Sequence, residues 1–216
     1  PAEKHEEAWH HALHPLEVKD ARPALAPAAI AVDSDSVMPD RTWRKVLSGR
    51  TSGAIASAEK ELCALLASMI EGDPAAAARL GVRPPGELPG GAVSTRITAH
   101  LIRSAGALAR LTSGKKVDAA DRELLERIRK LPLVAVLDAD GKPTPASLDD
   151  VEAAHPPAKV IPVLDAAPGF ETLDWRPVVV RDKRERDALV DWAGKRVALA
   201  SGELAERWAR AEAGRI

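Results

Sequence analysis

Short apolar runs that fit buried strands alternate with amphipathic helical segments from Asp118 to the end of the chain. Prolines and an Asp-Gly turn separate these segments, so each of them is short. Strands that alternate with helices are typical of an open sheet covered by helices. The pattern therefore predicts an α/β or α+β fold, in which a C-terminal α/β lobe contains a small helix-covered sheet.

Capping residues and strand-like runs define the elements of this lobe. Ser147 is followed by Leu148, Asp149 and Asp150, which resembles a capping box at the start of a helix. Asp140-Gly141 is typical of a tight turn. In chain order we predict a helix from Asp118, a strand at 133–137, a helix from Ser147, strands at 160–164 and 177–180, and helices from Asp182 and Ser201.

The first 114 residues have a different pattern, which predicts a mainly helical N-terminal lobe. Residues 1–16 are predicted to be helical, and apolar residues recur at helical spacing from Ser52 to Ile70 and over 94–111. His10 and His14 are four residues apart, but no Glu follows His10, so the metalloprotease helix pattern is missing and we predict no metal site. We therefore divide the chain into residues 1–114 and 115–216.

The composition excludes several classes of partner. The chain has 31 basic and 32 acidic residues, no Tyr and one Phe, which argues against a nucleic-acid surface. Its apolar runs are far shorter than the ~20 residues that span a bilayer. The single Cys63 fits a reducing compartment. We expect a soluble cytoplasmic protein and, because the chain begins with Pro1, a piece of a longer product.

The candidate functional stretch lies between residues 28 and 47. An apolar run from Ala28 to Val32 predicts a buried strand, an acidic loop with Asp33 and Asp35 follows, and a helix is predicted to start near Trp43. Loops between rigid elements are where binding and catalytic groups concentrate. Asp33, Asp35 and Arg44 are therefore the candidate site residues.

This stretch resembles the middle-domain segment of the ninety-kilodalton heat-shock chaperone family. In that family, an acidic turn and a proline lead into a helix whose early arginine reaches the ATP bound on the preceding domain. The resemblance implies that role for Arg44. The residues that carry it are Val32-Asp33-Ser34-Asp35, Pro39-Asp40 and Thr42-Trp43-Arg44, and later similar segments are Leu131-Pro132-Leu133, Asp140-Gly141, Ser147-Leu148 and Trp175-Arg176-Pro177-Val178-Val179-Val180.

The resemblance also implies which parts of the activity belong elsewhere. The ATP pocket of these proteins is in an upstream domain, so this chain is expected to hold no cofactor, while ATP and magnesium bind upstream. The expected partners are client proteins or a partner domain, and the full-length protein is expected to form a homodimer. No catalytic activity is expected of the isolated chain.

Two other interpretations of the same stretch remain open. A strand followed by Asp33-Ser34-Asp35 also resembles the first motif of haloacid dehalogenase-type phosphohydrolases. That resemblance implies that Asp33 is the nucleophile and Asp35 the general acid/base. In the third interpretation the chain is a non-catalytic protein-interaction module, whose aspartates form turns and caps and whose Arg44 is a solvated helix residue.

Overall fold

Two compact units, Pro1–Gly90 and Gly91–Ile216, make up the computed structural model. The sequence predicted a division after residue 114, whereas these units divide at Gly90 and Gly91. Helix α3 (Thr95–Thr112) accordingly belongs with the C-terminal elements. The structure describes residues 6–10, 14–18, 30–32, 41, 45–46, 52–80, 93–113, 118–138, 142–164 and 176–200.

The first unit contains a four-stranded sheet where the sequence predicted helices. Strands β1 (Glu6–His10) and β2 (His14–Val18) form an antiparallel hairpin, so the helix predicted over residues 1–16 is wrong. His10 and His14 are paired across the hairpin in the backbone register. Pro15 offers a physical reason, because a proline disfavours the helical conformation of the residue before it.

Two further strands complete this sheet, and each is parallel to the strand with which it pairs. β3 (Ile30–Val32) pairs with β1, which confirms the strand predicted in the apolar run before Asp33. β4 (Lys45–Val46) pairs with β2, so the helix predicted to start near Trp43 is wrong at these two residues. Strand pairing supplies their backbone hydrogen bonds, and such tertiary context overrides local helix propensity. The strand order is β3-β1-β2-β4.

Helices α1 (Ser52–Ile70) and α2 (Pro74–Arg79) follow in the same unit. The buried side chains of α1 recur at helical spacing and include Leu62, Leu66 and Met69. Gly72 has a φ of 93°, a backbone conformation that glycine adopts without strain, and it ends the helix as predicted. Cys63 is 3% exposed, which confirms its predicted place in the core.

A five-stranded mixed sheet with the order β6-β5-β8-β7-β9 is the centre of the second unit. Strands β8, β7 and β9 are parallel, and β5 is antiparallel to both β6 and β8. The predicted strands β5, β7 and β8 are present, while β6 and β9 were missed. The strands are β5 (Val134–Leu137), β6 (Pro143–Ala146), β7 (Ile161–Leu164), β8 (Val178–Val179) and β9 (Val197–Ala200).

In the described part of the second unit, four α-helices accompany this sheet, and a side-chain cap begins each of them. The caps are Ser94, Asp118, Ser147 and Asp182, of which the last three were predicted. Such a cap satisfies a backbone N–H that the helix leaves without an internal partner. Besides α3, the helices are α4 (Ala119–Lys130), α5 (Leu148–Ala154) and α6 (Lys183–Ala193). The predicted helix from Ser201 lies outside the described residues.

The core of the second unit is made by apolar side chains from both the helices and the sheet. This layered burial is the α/β architecture that the sequence predicted. Among the helices that the structure describes, none combines the length and the apolar character needed to cross a bilayer. The largest side chains that are fully buried are Leu101, Ile102, Ile128, Leu133, Leu148, Ile161, Leu189, Val151, Val163, Val178 and Val180.

Helices α3 and α6 approach each other closely at Gly106. A Cβ atom placed on Gly106 would lie 3.1 Å from the Cα of Trp192 and 3.4 Å from the carbonyl oxygen of Asp191. Both of these atoms belong to the backbone of α6, so a side-chain rotation cannot relieve the contact. Gly106 therefore allows the two helix backbones to pack together.

We expect Gly106→Ala to destabilise the second unit. We expect the overpacking cost of about 1–3 kcal/mol to exceed the helix-propensity gain of about 1 kcal/mol. Hydrogen exchange of the α6 amides measures the effect. Gly53→Ala is the matched control, because Gly53 is also helical and has no neighbour within 4 Å of an added Cβ. Slower α6 exchange in Gly106→Ala than in the wild type would contradict the proposed close packing.

Candidate functional site

The three residues predicted to form the site, Asp33, Asp35 and Arg44, lie outside the described residues. In the chain, Asp33 directly follows β3 and Arg44 directly precedes β4. These two strands form opposite edges of the four-stranded sheet. Three strand spacings separate them, which is about 14 Å at the usual spacing of paired strands. The two described strands that flank the candidate residues therefore lie at opposite edges of the sheet.

The phosphohydrolase interpretation implies a later acidic pair that holds magnesium, and Asp149 and Asp150 are adjacent carboxylates of this kind, although the predicted capping box accounts for them without a metal. The Asp150 carboxylate accepts hydrogen bonds from the backbone N–H and hydroxyl of Ser147, at 2.8 and 2.7 Å, and completes a capping box. The Asp149 carboxylate accepts a 2.6 Å hydrogen bond from Arg129. Within the described ranges, no three His, Cys, Asp or Glu residues are grouped so that they could hold a metal ion.

A cluster of polar side chains lies where β8 ends and both α3 and α6 begin. We call it the α3–α6 clamp, and it consists of Thr95, Thr98, Arg181, Asp182 and Glu185. Ligands of open α/β sheets bind at the carboxyl ends of parallel strands. The position of the clamp therefore makes it the first place to look for a functional site among the described residues.

Glu185 is the buried charge of the clamp, with 4% of its surface exposed. One carboxylate oxygen accepts a 2.7 Å hydrogen bond from the hydroxyl of Thr98 and a 3.0 Å hydrogen bond from Nε of Arg181. A second guanidinium nitrogen of Arg181 contacts the same oxygen. The other oxygen accepts a 2.8 Å hydrogen bond from the backbone N–H of Arg181. Both oxygens of the carboxylate are therefore engaged.

Asp182 provides the second carboxylate and caps α6. It accepts a 2.6 Å hydrogen bond from the hydroxyl of Thr95 and hydrogen bonds from the backbone N–H groups of Arg184 and Glu185. Burial acts to raise the pKa of Asp182. The hydrogen bonds and the charge of Arg184 outweigh it and hold the pKa below its ordinary value. Asp182 is therefore a stable anion that ties the first turn of α6 to α3.

The guanidinium of Arg181 connects the clamp to a residue that is distant in the sequence. It donates a 2.6 Å hydrogen bond to the carbonyl oxygen of Val93, which lies just before α3. A catalytic base needs an accessible lone pair within reach of a substrate proton. Glu185 offers none in this arrangement, since it is buried and fully hydrogen-bonded. The contacts of the clamp therefore serve to hold the two helices together.

The clamp was not predicted from the sequence, apart from Asp182 as the start of α6. The pair Arg181 and Glu185 has the i, i+4 spacing of a helical ion pair, which was the one local signal. The partner hydroxyl of Thr98 is 87 residues away in the chain. Because contacts at that separation leave no local pattern, the folded structure alone shows the clamp.

A second group of charges joins α4 and α5 to the turn before β9. Arg129 donates hydrogen bonds of 2.6 Å to Asp149 and 2.7 Å to Glu152. Burial acts to lower the pKa of Arg129, but its two carboxylate partners raise it above the ordinary value. Glu152 is also 3.8 Å from a guanidinium nitrogen of Arg196. This bridged network is structural, because each carboxylate neutralises a neighbouring arginine.

Comparisons of the chain with protein-family models, with curated protein sequences and with solved structures find no match. The functional conclusion therefore depends on the contacts of the described residues and on the resemblance of the sequence segments. The contacts identify two polar clusters, and both of them join helices of the second unit to each other.

We expect Thr98→Val to destabilise the second unit by about 1.5–3 kcal/mol, the usual contribution of a hydrogen bond to a charged group. The valine has nearly the same shape but cannot donate to Glu185 or accept the 3.2 Å hydrogen bond from Arg181. Urea unfolding followed by circular dichroism measures the change. Thr112→Val is the control, since the hydrogen bond of the Thr112 hydroxyl within the described residues goes to the carbonyl oxygen of Ala109 on the same helix. Equal stabilities of the two variants would contradict the role of the clamp.

His100 is a buried titratable group on α3, with 8% of its surface exposed. Burial, and to a smaller extent the charge of Arg103, lowers its pKa from 6.5 to about 4. The neutral imidazole is therefore the form that the folded protein favours. The unfolded chain binds a proton at this residue more readily than the folded chain does.

This difference predicts how stability depends on pH. The free energy of unfolding should be unaffected by His100 above pH 6.5 and should fall as the pH drops toward about 4. The loss from this residue approaches about 3 kcal/mol. We expect His100→Gln to remove this part of the acid sensitivity, as measured by urea unfolding over the same range. An unchanged slope of stability against pH in the variant would contradict the assignment.

Proposed function

We propose that this chain is the region of a chaperone-like ATPase that lies downstream of the ATP-binding domain. In this proposal the chain binds a client or partner protein, and Arg44 supplies a guanidinium to nucleotide held by another domain. A guanidinium is permanently charged, so it can stabilise a γ-phosphate as charge redistributes during hydrolysis. Binding, rather than bond-breaking chemistry, is the contribution of this chain.

The observation that carries the proposal is the commitment of charged groups in the second unit to one another. Glu185 is held by Arg181, and Asp182 caps α6. Arg129 bridges Asp149 and Glu152. Charged groups that pair with one another build a rigid support, which is what a binding region needs. An acid/base site instead needs charged groups that remain available to a substrate.

The positions of the similar segments also support the proposal. Leu131-Pro132-Leu133 leads directly into β5, and Ser147-Leu148 is the cap and first residue of α5. The run Val178-Val179-Val180 contains β8 and lies just before α6. These three later segments thus adjoin or contain elements of the second unit. A shared architecture requires element boundaries at such places.

Among the described residues of the second unit, three large apolar side chains are exposed, and they are candidates for client contact. Leu111 at the end of α3 is 62% exposed, Val160 before β7 is 49% exposed, and Val190 on α6 is 40% exposed. Unfolded clients expose apolar groups, and burial of apolar surface is the main favourable term in protein association. Substitution of these three side chains therefore tests client binding.

The test is suppression of aggregation of a heat-denatured model protein, followed by light scattering. We expect the full chain to reduce scattering without ATP, and we expect the triple variant Leu111→Ser, Val160→Ser and Val190→Ser to reduce it less. The matched control is Ala107→Ser, which changes an exposed residue of α3. Failure of the wild-type chain to affect scattering would contradict client binding.

Calorimetric titration with magnesium and ATP tests the part of the proposal that concerns Arg44. We expect no heat of binding for the isolated wild-type chain, since the nucleotide pocket belongs to another domain. Binding that is lost in Arg44→Ala would overturn that division of roles. Magnesium-dependent hydrolysis of p-nitrophenyl phosphate that is lost in Asp33→Asn would favour the phosphohydrolase interpretation instead.

A further inference from the structure

His155 directly follows α5 as its C-cap and connects three segments of the second unit. Its side chain is buried, with 5% of the residue exposed, and its Nε2 is 3.1 Å from the carbonyl oxygen of Arg176. A carbonyl oxygen only accepts hydrogen bonds, so Nε2 carries the proton. The carbonyl oxygen of His155 itself accepts a hydrogen bond from Arg196. His155 therefore joins α5 to the segments that enter β8 and β9.

The backbone of Arg176 is strained. Its φ is 42°, and no other non-glycine residue among the described residues has a positive φ. A non-glycine residue in this region costs about 1–3 kcal/mol and persists only where its surroundings hold it. The hydrogen bond from His155 to the Arg176 carbonyl is one such restraint, and it acts two residues before β8 begins.

The charged groups around the His155 ring are mainly positive. Arg196 before β9 and Lys159 before β7 both act on it, and from the side of β8 it meets the carbonyl of Arg176. On α5 itself, Glu152 is one turn earlier, and its carboxylate is shared between Arg129 of α4 and Arg196. A proton on the ring would thus add a positive charge beside two existing ones.

We propose that His155 is an acid-sensitive latch that holds the start of β8 when its ring is neutral and releases it when the ring is protonated. Protonation places a charge in a buried position next to Arg196 and Lys159, so the charged ring moves out to water. Arg176 then loses its restraint and returns to an ordinary backbone conformation. Release of the β8 start is the structural consequence.

The direction of the pH effect follows from the two states of the ring. Burial lowers the pKa of the held His155 most, the Arg176 carbonyl opposes this, and Arg196 and Lys159 lower it further. The released ring has the ordinary pKa of 6.5. Because the released state binds a proton more readily, the latch stays closed above pH 6.5 and opens progressively below it.

Hydrogen exchange of the full chain at about pH 7.5 and about pH 5.5 tests the latch, with peptides that cover residues 176–180 and with correction for the intrinsic exchange rate. We expect opening to increase at the lower pH by up to about tenfold, which is the limit that a released ring with the ordinary pKa sets between these two pH values. His155→Gln stays neutral and can still donate to the Arg176 carbonyl. We expect it to remove the acid response.

Lys159→Gln tests the electrostatic cause without altering the buried contacts. Lys159 is exposed, so we expect unchanged protection at about pH 7.5 and a smaller response to acid. An NMR titration of the His155 ring in the full chain supplies an independent measurement of its pKa, which we expect to lie below 6.5. An unchanged acid response in His155→Gln, or a ring that titrates at 6.5 in the wild type, would overturn the latch.

Discussion

The buried carboxylate of Glu185 is the constraint on which the second unit depends. Taking an isolated charge out of water costs several kcal/mol, and the folded state recovers this only with well-placed partners. Arg181 and Thr98 supply those partners. Since Thr98 lies on α3 and Arg181 lies two residues after β8, the charge is satisfied only when both elements are in place.

Gly106 and the clamp act on the same pair of helices in different ways. The clamp fixes the first turns of α3 and α6 through hydrogen bonds, while Gly106 lets the helix backbones approach further along. Directional hydrogen bonds set the register of the two helices, and the absence of a Cβ sets their separation. Both are needed because close-packed interiors tolerate neither a gap nor an added methyl group.

Charge pairing also explains why the second unit is proposed to bind rather than to catalyse. Arg129 connects α4 to α5 through two carboxylates, and His155 connects α5 to the segments before β8 and β9. These groups are the ones that a catalytic site would leave available to a substrate. Their use in joining elements gives a rigid scaffold, and it places pH sensitivity at two buried histidines, His100 and His155.

The sequence by itself determined the elements whose signals are local. Asp118, Ser147 and Asp182 predicted helix starts correctly because a cap acts within three residues, and the apolar run before Asp33 predicted β3. The β1–β2 hairpin, β4, β6 and β9 were decided only by the tertiary structure, since pairing with another strand overrides local propensity. The clamp was decided in the same way, because Thr98 and Glu185 meet across 87 residues. The predicted site residues Asp33, Asp35 and Arg44 remain predictions from the sequence.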